Sequence, residues 1–96
     1  MEFSKDADQT FFDKVGMFSQ RIRAECRGVI AYDFGQNEAA RSGGYTHAVV
    51  SLFSAAAAHD DYQVSSVHVD MKTYMSPFIQ RIVVFDGAIS GNAVFA

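Results

Sequence analysis

The chain has 96 residues, a net charge of −3, and a composition that is 49% hydrophobic and 20% charged, as is typical of one small globular domain. Its single cysteine excludes an intrachain disulfide, and an acidic chain without a basic block is a poor candidate for binding nucleic acid. No apolar run approaches the roughly 20 residues needed to cross a bilayer, and the first residues do not resemble a signal peptide. We therefore expect one domain over residues 1–96, a cytoplasmic location, and no nucleic-acid or membrane partner.

The first part of the chain predicts a strand, a helix and a second strand. Residues 1–4 are interpreted as the end of a truncated first strand, and Asp6 or Asp8 can cap the helix that follows, because a short side-chain oxygen accepts from a free backbone N–H. Apolar residues then recur at helical spacing: Phe11, Val15, Phe18 and Ile22. Gly28–Phe34, rich in β-branched and aromatic residues, predicts the second strand.

The second part predicts a strand, two helical pieces and a last strand. Tyr45–Phe53 alternates regularly and is the clearest strand, and Ser54 can cap a short helix over Ala55–Ala58. A second helical piece places apolar residues roughly on one side: Val64, Val67, Met71, Tyr74 and Met75. Pro77 ends that helix because it lacks a backbone donor, and Phe78–Ala88 is the predicted last strand.

The element order predicts an α+β, ferredoxin-like βαββαβ fold with an antiparallel sheet. Two helices cover one face of the sheet, so the other face of a solitary domain should be polar. However, Tyr45–Phe53 is apolar on both faces, and the last strand carries apolar residues at four successive positions, 82–85. We therefore expect the chain to form a homodimer through its sheet face, since two-fold homodimers are the commonest oligomers.

Several short motifs occur in a fixed order between residues 10 and 88: Gly35-Gln36-Asn37, Gly44-Tyr45-Thr46-His47, Val67-His68-Val69 and Val84-Phe85-Asp86. In this combination the chain resembles the stress-response A/B barrel family, which implies a dimeric α/β barrel. It departs from the family in its short first strand, Met1-Glu2-Phe3, where relatives often carry a histidine, and at Ser65-Ser66, where relatives often carry histidine and proline. The tail over residues 89–96 extends past the usual end, and Val94-Phe95 is expected to pack on the partner.

The resemblance also implies a candidate site. A plant polyketide cyclase of this family works with a tyrosine and a histidine near the second helix and a further histidine on the third strand. Matching its motifs assigns the acid/base group to His68, the orienting tyrosine to Tyr62 and the strand histidine to His47. Other relatives keep these residues without a known activity, so the match does not imply the reaction.

The residues themselves leave structural roles open beside the functional ones. His68 can move a proton near neutral pH, or can hydrogen-bond a carbonyl and close the helix onto the sheet. His47 is expected on the same sheet face as Tyr45 and Val49, where it either lines a ligand pocket or pairs across the dimer interface. Tyr62 can offer its hydroxyl to His68 or simply pack. Met71 is expected to fill a gap in the core and to line the pocket.

No cofactor or metal is predicted. His59 is expected on a solvated helix surface, and a metal site built from His59, Asp60 and Asp61 is improbable because adjacent helical residues point in different directions. Two functions remain: a dimeric barrel of unassigned activity with a small apolar or aromatic ligand, or a cofactor-free cyclase, lyase or heme-free oxygenase that uses His68 as its acid/base. The absence of a strongly charged catalytic cluster favours the first.

Overall fold

The computed structural model describes residues 1–89 and the backbone of residues 94–95. In chain order its elements are β1 (Glu2–Phe3), α1 (Gln9–Glu25), β2 (Val29–Gln36), β3 (His47–Phe53), α2 (Ala56–Val64), α3 (Ser66–Met75), a 3₁₀ turn (Ser76–Phe78), β4 (Ile79–Arg81), β5 (Gly87–Ala88) and β6 (Val94–Phe95). Helices on one side of antiparallel strands confirm the predicted α+β class. None of the helices within the described part of the chain is long and apolar enough to span a membrane.

Helix α1 forms where the sequence predicts it. The Asp8 carboxylate accepts from the backbone N–H of Phe11 at 3.0 Å and so caps the first turn. One stripe of the helix is buried against the sheet and α3: Phe11, Val15, Phe18, Ser19 and Ile22. The apolar spacing therefore gives α1 both its extent and its orientation.

Strands β2 and β3 form the longest antiparallel pair, from Val29 opposite Phe53 to Gln36 opposite His47, with an irregularity between Val29 and Ala31. Side chains alternate between the two faces of a strand. Tyr32 and Phe53 therefore lie under the helices, where both are fully buried. The residues that the structure describes do not cover the opposite face of the pair, and Val50 on it is half exposed.

Strand β1 lies between β3 and β4. The amino group of Met1 donates to the carbonyl of His47 at 2.7 Å, and the carbonyl of Met1 accepts from the His47 N–H at 3.2 Å. On its other side Glu2 pairs with Arg81 of β4. The order β2-β3-β1-β4 is that of a ferredoxin-like sheet, although regular pairing divides it into a two-stranded sheet, β1-β4, and a four-stranded sheet, β2-β3-β6-β5.

The prediction of one continuous last strand over Phe78–Ala88 is wrong. Pairing with β1 stops at Arg81, and regular strand structure resumes only at Gly87. Residues 82–86 belong to neither sheet, and we call them the strap. Their four apolar side chains, at positions 82–85, are between 54% and 71% exposed.

Two further predictions need correction. Ser54 does not cap α2: its backbone N–H donates to the carbonyl of Gly28 at 2.8 Å, and α2 continues well past Ala58, to Val64. Val94 and Phe95 pair by backbone with β3 and β5 of the same chain, and their packing on a partner stays a prediction. The rest of the predicted tail, residues 90–93 and 96, lies outside the described residues.

Candidate functional site

A cavity of about 640 Å³ lies between the helices and the sheet. Its walls come from β3, α2, α3, β4 and the strap, and most of their side chains are apolar. All the site residues named from the sequence line it: Tyr45, His47, Val49, Tyr62, His68 and Met71. On the sheet side, residues 48–51 of β3 and the strap line this cavity, and the strap belongs to neither sheet.

Two buried tyrosines form the polar end of the cavity. The hydroxyls of Tyr32 and Tyr62 are 2.8 Å apart, and the Tyr32 hydroxyl also donates to the sulfur of Met71 at 3.6 Å. Since a tyrosine hydroxyl has one proton, the contact with sulfur makes Tyr62 the donor within the pair. The Tyr62 oxygen keeps lone pairs for a ligand. Burial, then the Tyr32 hydroxyl, raises the pKa of Tyr62, so this hydroxyl stays protonated at neutral pH.

His68 is buried against Tyr62, with ring centroids 4.2 Å apart. Ser65, between α2 and α3, sets the position of His68. The Ser65 hydroxyl donates to the Tyr62 carbonyl at 2.8 Å and accepts from the His68 N–H at 3.3 Å. The Nδ1 atom of His68 is 3.2 Å from the carbonyl oxygen of Gln63. A carbonyl only accepts, so Nδ1 carries the proton and Nε2 has the lone pair.

The Nε2 atom of His68 faces the cavity. It has no partner among the residues described, and within that part of the chain no buried side-chain nitrogen or oxygen lacks a partner, so Nε2 must be accessible. Burial lowers the pKa of His68, opposed by the hydrogen bond to Gln63. The site therefore presents a neutral base beside a protonated tyrosine. Of the two roles left open for Tyr62, the structure shows packing against His68, because the Tyr62 hydroxyl pairs with Tyr32 and only its ring contacts His68.

His47 sits at the other end of the cavity in an aromatic cluster. Its ring stacks on Phe12 and Phe34, with centroids 4.5 Å and 5.4 Å away, and meets the edge of Phe3 at 5.4 Å. Its Nδ1 atom is 2.8 Å from the Thr46 hydroxyl. Burial, then the amino-terminal charge, lowers the pKa of His47. This ring both supports β1 and lines the cavity.

Two of the remaining candidates differ in how they are held. Val49 is half buried and points toward the helices from the middle of β3. Tyr45 precedes β3 instead of beginning it, and the guanidinium of Arg81 covers its ring at 4.6 Å. Tyr45 is therefore fixed by a cation–π contact, and the prediction that it alternates within the strand is wrong.

The prediction that His59 is solvated is also wrong. Its side chain is 12% exposed, its ring meets the edge of Phe53 at 5.0 Å, and it forms part of the cavity wall. Its Nε2 atom is 3.8 Å from a carboxylate oxygen of Asp86 in the strap. His59 and Tyr62 are three residues apart on α2, so they lie on the same side of the helix. This spacing in the sequence was a signal that His59 lies beside Tyr62.

Sequence reasoning missed Tyr32. The residue alternates with Phe34 on the inner face of β2, and that spacing was a signal that it faces the core. Its bond to a tyrosine 30 positions away could not be read from spacing. Within the described residues no group of three or more His, Cys, Asp or Glu side chains is arranged to hold a metal.

The fold and this cavity can be set beside known protein families. A sequence model of the stress responsive A/B barrel domain matches residues 2–89. The chain belongs to the stress responsive A/B barrel family. A search of the curated proteins found no match. The family assignment confirms the resemblance seen in the sequence and accounts for the ferredoxin-like strand order.

The buried His68 makes the stability of this A/B barrel protein dependent on pH. The unfolded chain binds a proton on this imidazole more readily than the folded one, so unfolding takes up protons. Its stabilising contribution is complete above the ordinary pKa of 6.5 and is lost as the pH falls through the lowered value of the folded state. Each unit of lowering corresponds to about 1.4 kcal/mol.

We therefore expect the free energy of unfolding to fall between pH 7.5 and pH 5.5, with a smaller slope in His68→Gln. Urea denaturation at several pH values measures the slope. Because burial also lowers the pKa of His47, a His47→Gln variant separates the two contributions. A free energy that stays constant or rises on acidification would contradict the neutral, buried His68.

Proposed function

We propose that this A/B barrel protein is a homodimer that binds a small, neutral aromatic molecule carrying a hydroxyl group. The cavity carries the proposal: its walls are largely apolar, and its acceptors, Nε2 of His68 and the oxygen of Tyr62, meet at one end. An aromatic ring matches the apolar walls, and a hydroxyl donates to these acceptors. Such a division between apolar walls and a few placed polar groups is usual in ligand sites.

The dimer is the second part of the proposal. On the outer sheet face Val50 is half exposed, and Ile30 next to the irregularity of β2 is 59% exposed. Burying exposed apolar surface of this kind is favourable by roughly 25 cal/mol of free energy per Å². A second copy of the same face is the simplest cover, and the dimeric barrel implied by the family supports this choice. The cytoplasmic location stays a prediction from the sequence.

A pair of probes tests the ligand class directly. We expect 1-naphthol to bind about two- to tenfold more tightly than naphthalene, because its hydroxyl adds one hydrogen bond to a buried acceptor. The His68→Ala substitution should reduce this difference in affinity between the two probes, and it should leave the affinity for naphthalene nearly unchanged. Fluorescence titration of each probe gives the two dissociation constants.

A filling variant shows whether the probes enter this cavity. Val49→Phe places a larger ring in the wall and should weaken both probes at least tenfold, whereas Val69→Phe changes a residue on α3 that does not line the cavity. Equal affinities in the two variants, or an unchanged preference for 1-naphthol in His68→Ala, would count against the proposed site.

The second candidate function is cofactor-free acid–base catalysis by His68. It is favoured by the neutral ring with its free Nε2 atom, since a base must be unprotonated and within reach of the proton it removes. The raised pKa of Tyr62 leaves the base role to His68. The test is the rate of deuterium exchange into a 1,3-diketone in the presence of the wild type and of His68→Ala. Equal rates for the two proteins would rule out this function.

A further inference from the structure

The hydroxyl groups of Tyr32 and Tyr62 meet at the wall of the cavity, and a third polar atom lies beside them. Tyr32, on β2, is 1% exposed and reaches Tyr62 on α2 from the opposite layer of the fold. The two hydroxyl oxygens are 2.8 Å apart, and the sulfur of Met71 on α3 is 3.6 Å from the Tyr32 oxygen. Three elements therefore contribute to one buried row of polar atoms.

The sulfur gives this row of hydrogen bonds a direction. A thioether has no proton and only accepts, and the Tyr32 hydroxyl has a single proton to donate. Because Tyr32 donates to Met71, its oxygen accepts from Tyr62. The reverse direction would leave the sulfur without a donor. Both hydroxyls stay protonated at neutral pH, since burial, opposed by the bond with Tyr62, raises the pKa of Tyr32, and burial, then Tyr32, raises the pKa of Tyr62.

This direction decides what a ligand meets at the polar end of the cavity. The Tyr62 proton points toward Tyr32, so the Tyr62 oxygen presents lone pairs to the cavity. Beside it, the Nε2 atom of His68 has a lone pair because Nδ1 donates to the Gln63 carbonyl, and the rings of Tyr62 and His68 are in contact. A ligand hydroxyl can donate to either acceptor. A ligand carbonyl placed there would face lone pairs instead of protons.

We propose that Tyr32 determines the ligand specificity of the cavity by turning the Tyr62 proton away from the ligand. The site then favours molecules that donate a hydrogen bond over molecules of the same shape that only accept one, so part of its specificity comes from exclusion. Without the Tyr32 hydroxyl, the Tyr62 proton can turn into the cavity and donate to a carbonyl. The inference rests on the proposed ligand site and adds the class of molecule that this site rejects. Tyr32 acts through Tyr62 and is a positioning residue.

Two probes of nearly the same shape test the specificity. 1-Acetylnaphthalene has a carbonyl that only accepts, and 1-isopropylnaphthalene has no polar atom. In the wild type we expect the ketone to bind no more tightly than the hydrocarbon. In Tyr32→Phe we expect the ketone to bind about two- to tenfold more tightly than the hydrocarbon, which is the effect of one added hydrogen bond. Equilibrium dialysis gives both dissociation constants, and their ratio cancels a general change in packing or stability.

Three further variants assign the change in this ratio to the Tyr62 proton. Met71→Leu nearly keeps the side-chain volume but removes the sulfur acceptor, so it should shift the ratio in the same direction as Tyr32→Phe. Adding Tyr62→Phe to Tyr32→Phe should return the ratio to the wild-type value. Tyr74→Phe is the matched control, because it removes a hydroxyl from a residue of α3 that does not line the cavity. An unchanged ratio in Tyr32→Phe, or an equal shift in Tyr74→Phe, would overturn the inference.

Exchange of the Tyr62 hydroxyl proton with water gives a readout without any ligand. In the wild type this proton lies between two buried oxygens, whereas in Tyr32→Phe it faces the cavity. NMR should therefore show at least about tenfold slower exchange in the wild type. Equal exchange rates in the two proteins would overturn the inference. If neither probe binds while the difference in exchange is present, the proposed ligand site fails and the orientation of the Tyr62 proton stands.

Discussion

Val50→Lys is expected to convert the proposed dimer into a monomer. Val50 lies in the middle of β3 and points away from the helices, where it is half exposed in a single chain. A lysine there would place a charged ammonium inside the proposed interface, at a cost of several kcal/mol, which corresponds to at least about a hundredfold weaker association. Sedimentation velocity over a range of concentrations measures the change.

The fold itself should tolerate this substitution. Val50 is directly opposite Asp33 on β2, so a lysine gains a cross-strand carboxylate as its neighbour. Val64→Lys is the matched control, because Val64 is 80% exposed on α2, away from the sheet. A stable dimer in Val50→Lys, or the same dissociation in Val64→Lys, would contradict an interface on the sheet face.

Gly28→Ala is expected to cost about 2–5 kcal/mol of folding free energy. Gly28 has φ +77°, a left-handed conformation that costs other residues about 1–2 kcal/mol. A Cβ atom there would lie 2.5 Å from Cβ of Ala58 and 2.9 Å from the hydroxyl of Ser54, and relieving such overlap typically costs about 1–3 kcal/mol. Chemical denaturation gives the difference.

Gly16→Ala provides the opposite expectation in the same protein. Gly16 lies inside α1, and a Cβ atom there meets nothing within 4 Å, so alanine should stabilise the helix by roughly 0.5–1 kcal/mol. Gly28→Ala should also disturb the cavity, because Gly28 holds the start of the segment that leads to α2 and Tyr62. If both variants have the wild-type stability, the close approach of Gly28 to α2 is wrong.

The sequence predicted the helical layer and the central hairpin because local rules govern both. The spacing of Phe11, Val15 and Phe18 requires only that one helix face be buried, and Asp8 needs only its own first turn. Likewise the alternation along β3 places Val49 toward the helices and Val50 away from them. In each case the deciding contacts lie within a few residues or follow from a strand's period.

The errors arose where distant residues decide the outcome. The apolar run at 82–85 has the composition of a strand, but a strand also needs a neighbour to pair with, and the pairing of β4 with β1 stops at Arg81. His59 follows a run of alanines and precedes two aspartates, which is typical of a surface, yet Phe53 and Asp86 enclose it. The composition of a segment indicates which structures it can adopt, but the contacts it makes depend on the positions of elements that are distant in the sequence.

The candidate site was predicted as a set of residues but not as an arrangement. Tyr62, His68 and Met71 line one cavity. The hydrogen bonds that give them chemical roles come from Tyr32 on β2 and from the carbonyl of Gln63. Those partners depend on how β2 lies beneath the α2–α3 break, which has no local signal in the sequence.

Native mass spectrometry in the presence of 1-naphthol tests the central claim most directly, because it reports assembly and ligand binding in one spectrum. The account predicts two chains carrying two molecules of 1-naphthol, with the adducts lost in Val49→Phe and kept in Val69→Phe. A single chain would contradict the interface on the sheet face, and two chains without adducts would contradict the ligand site beside Tyr62 and His68.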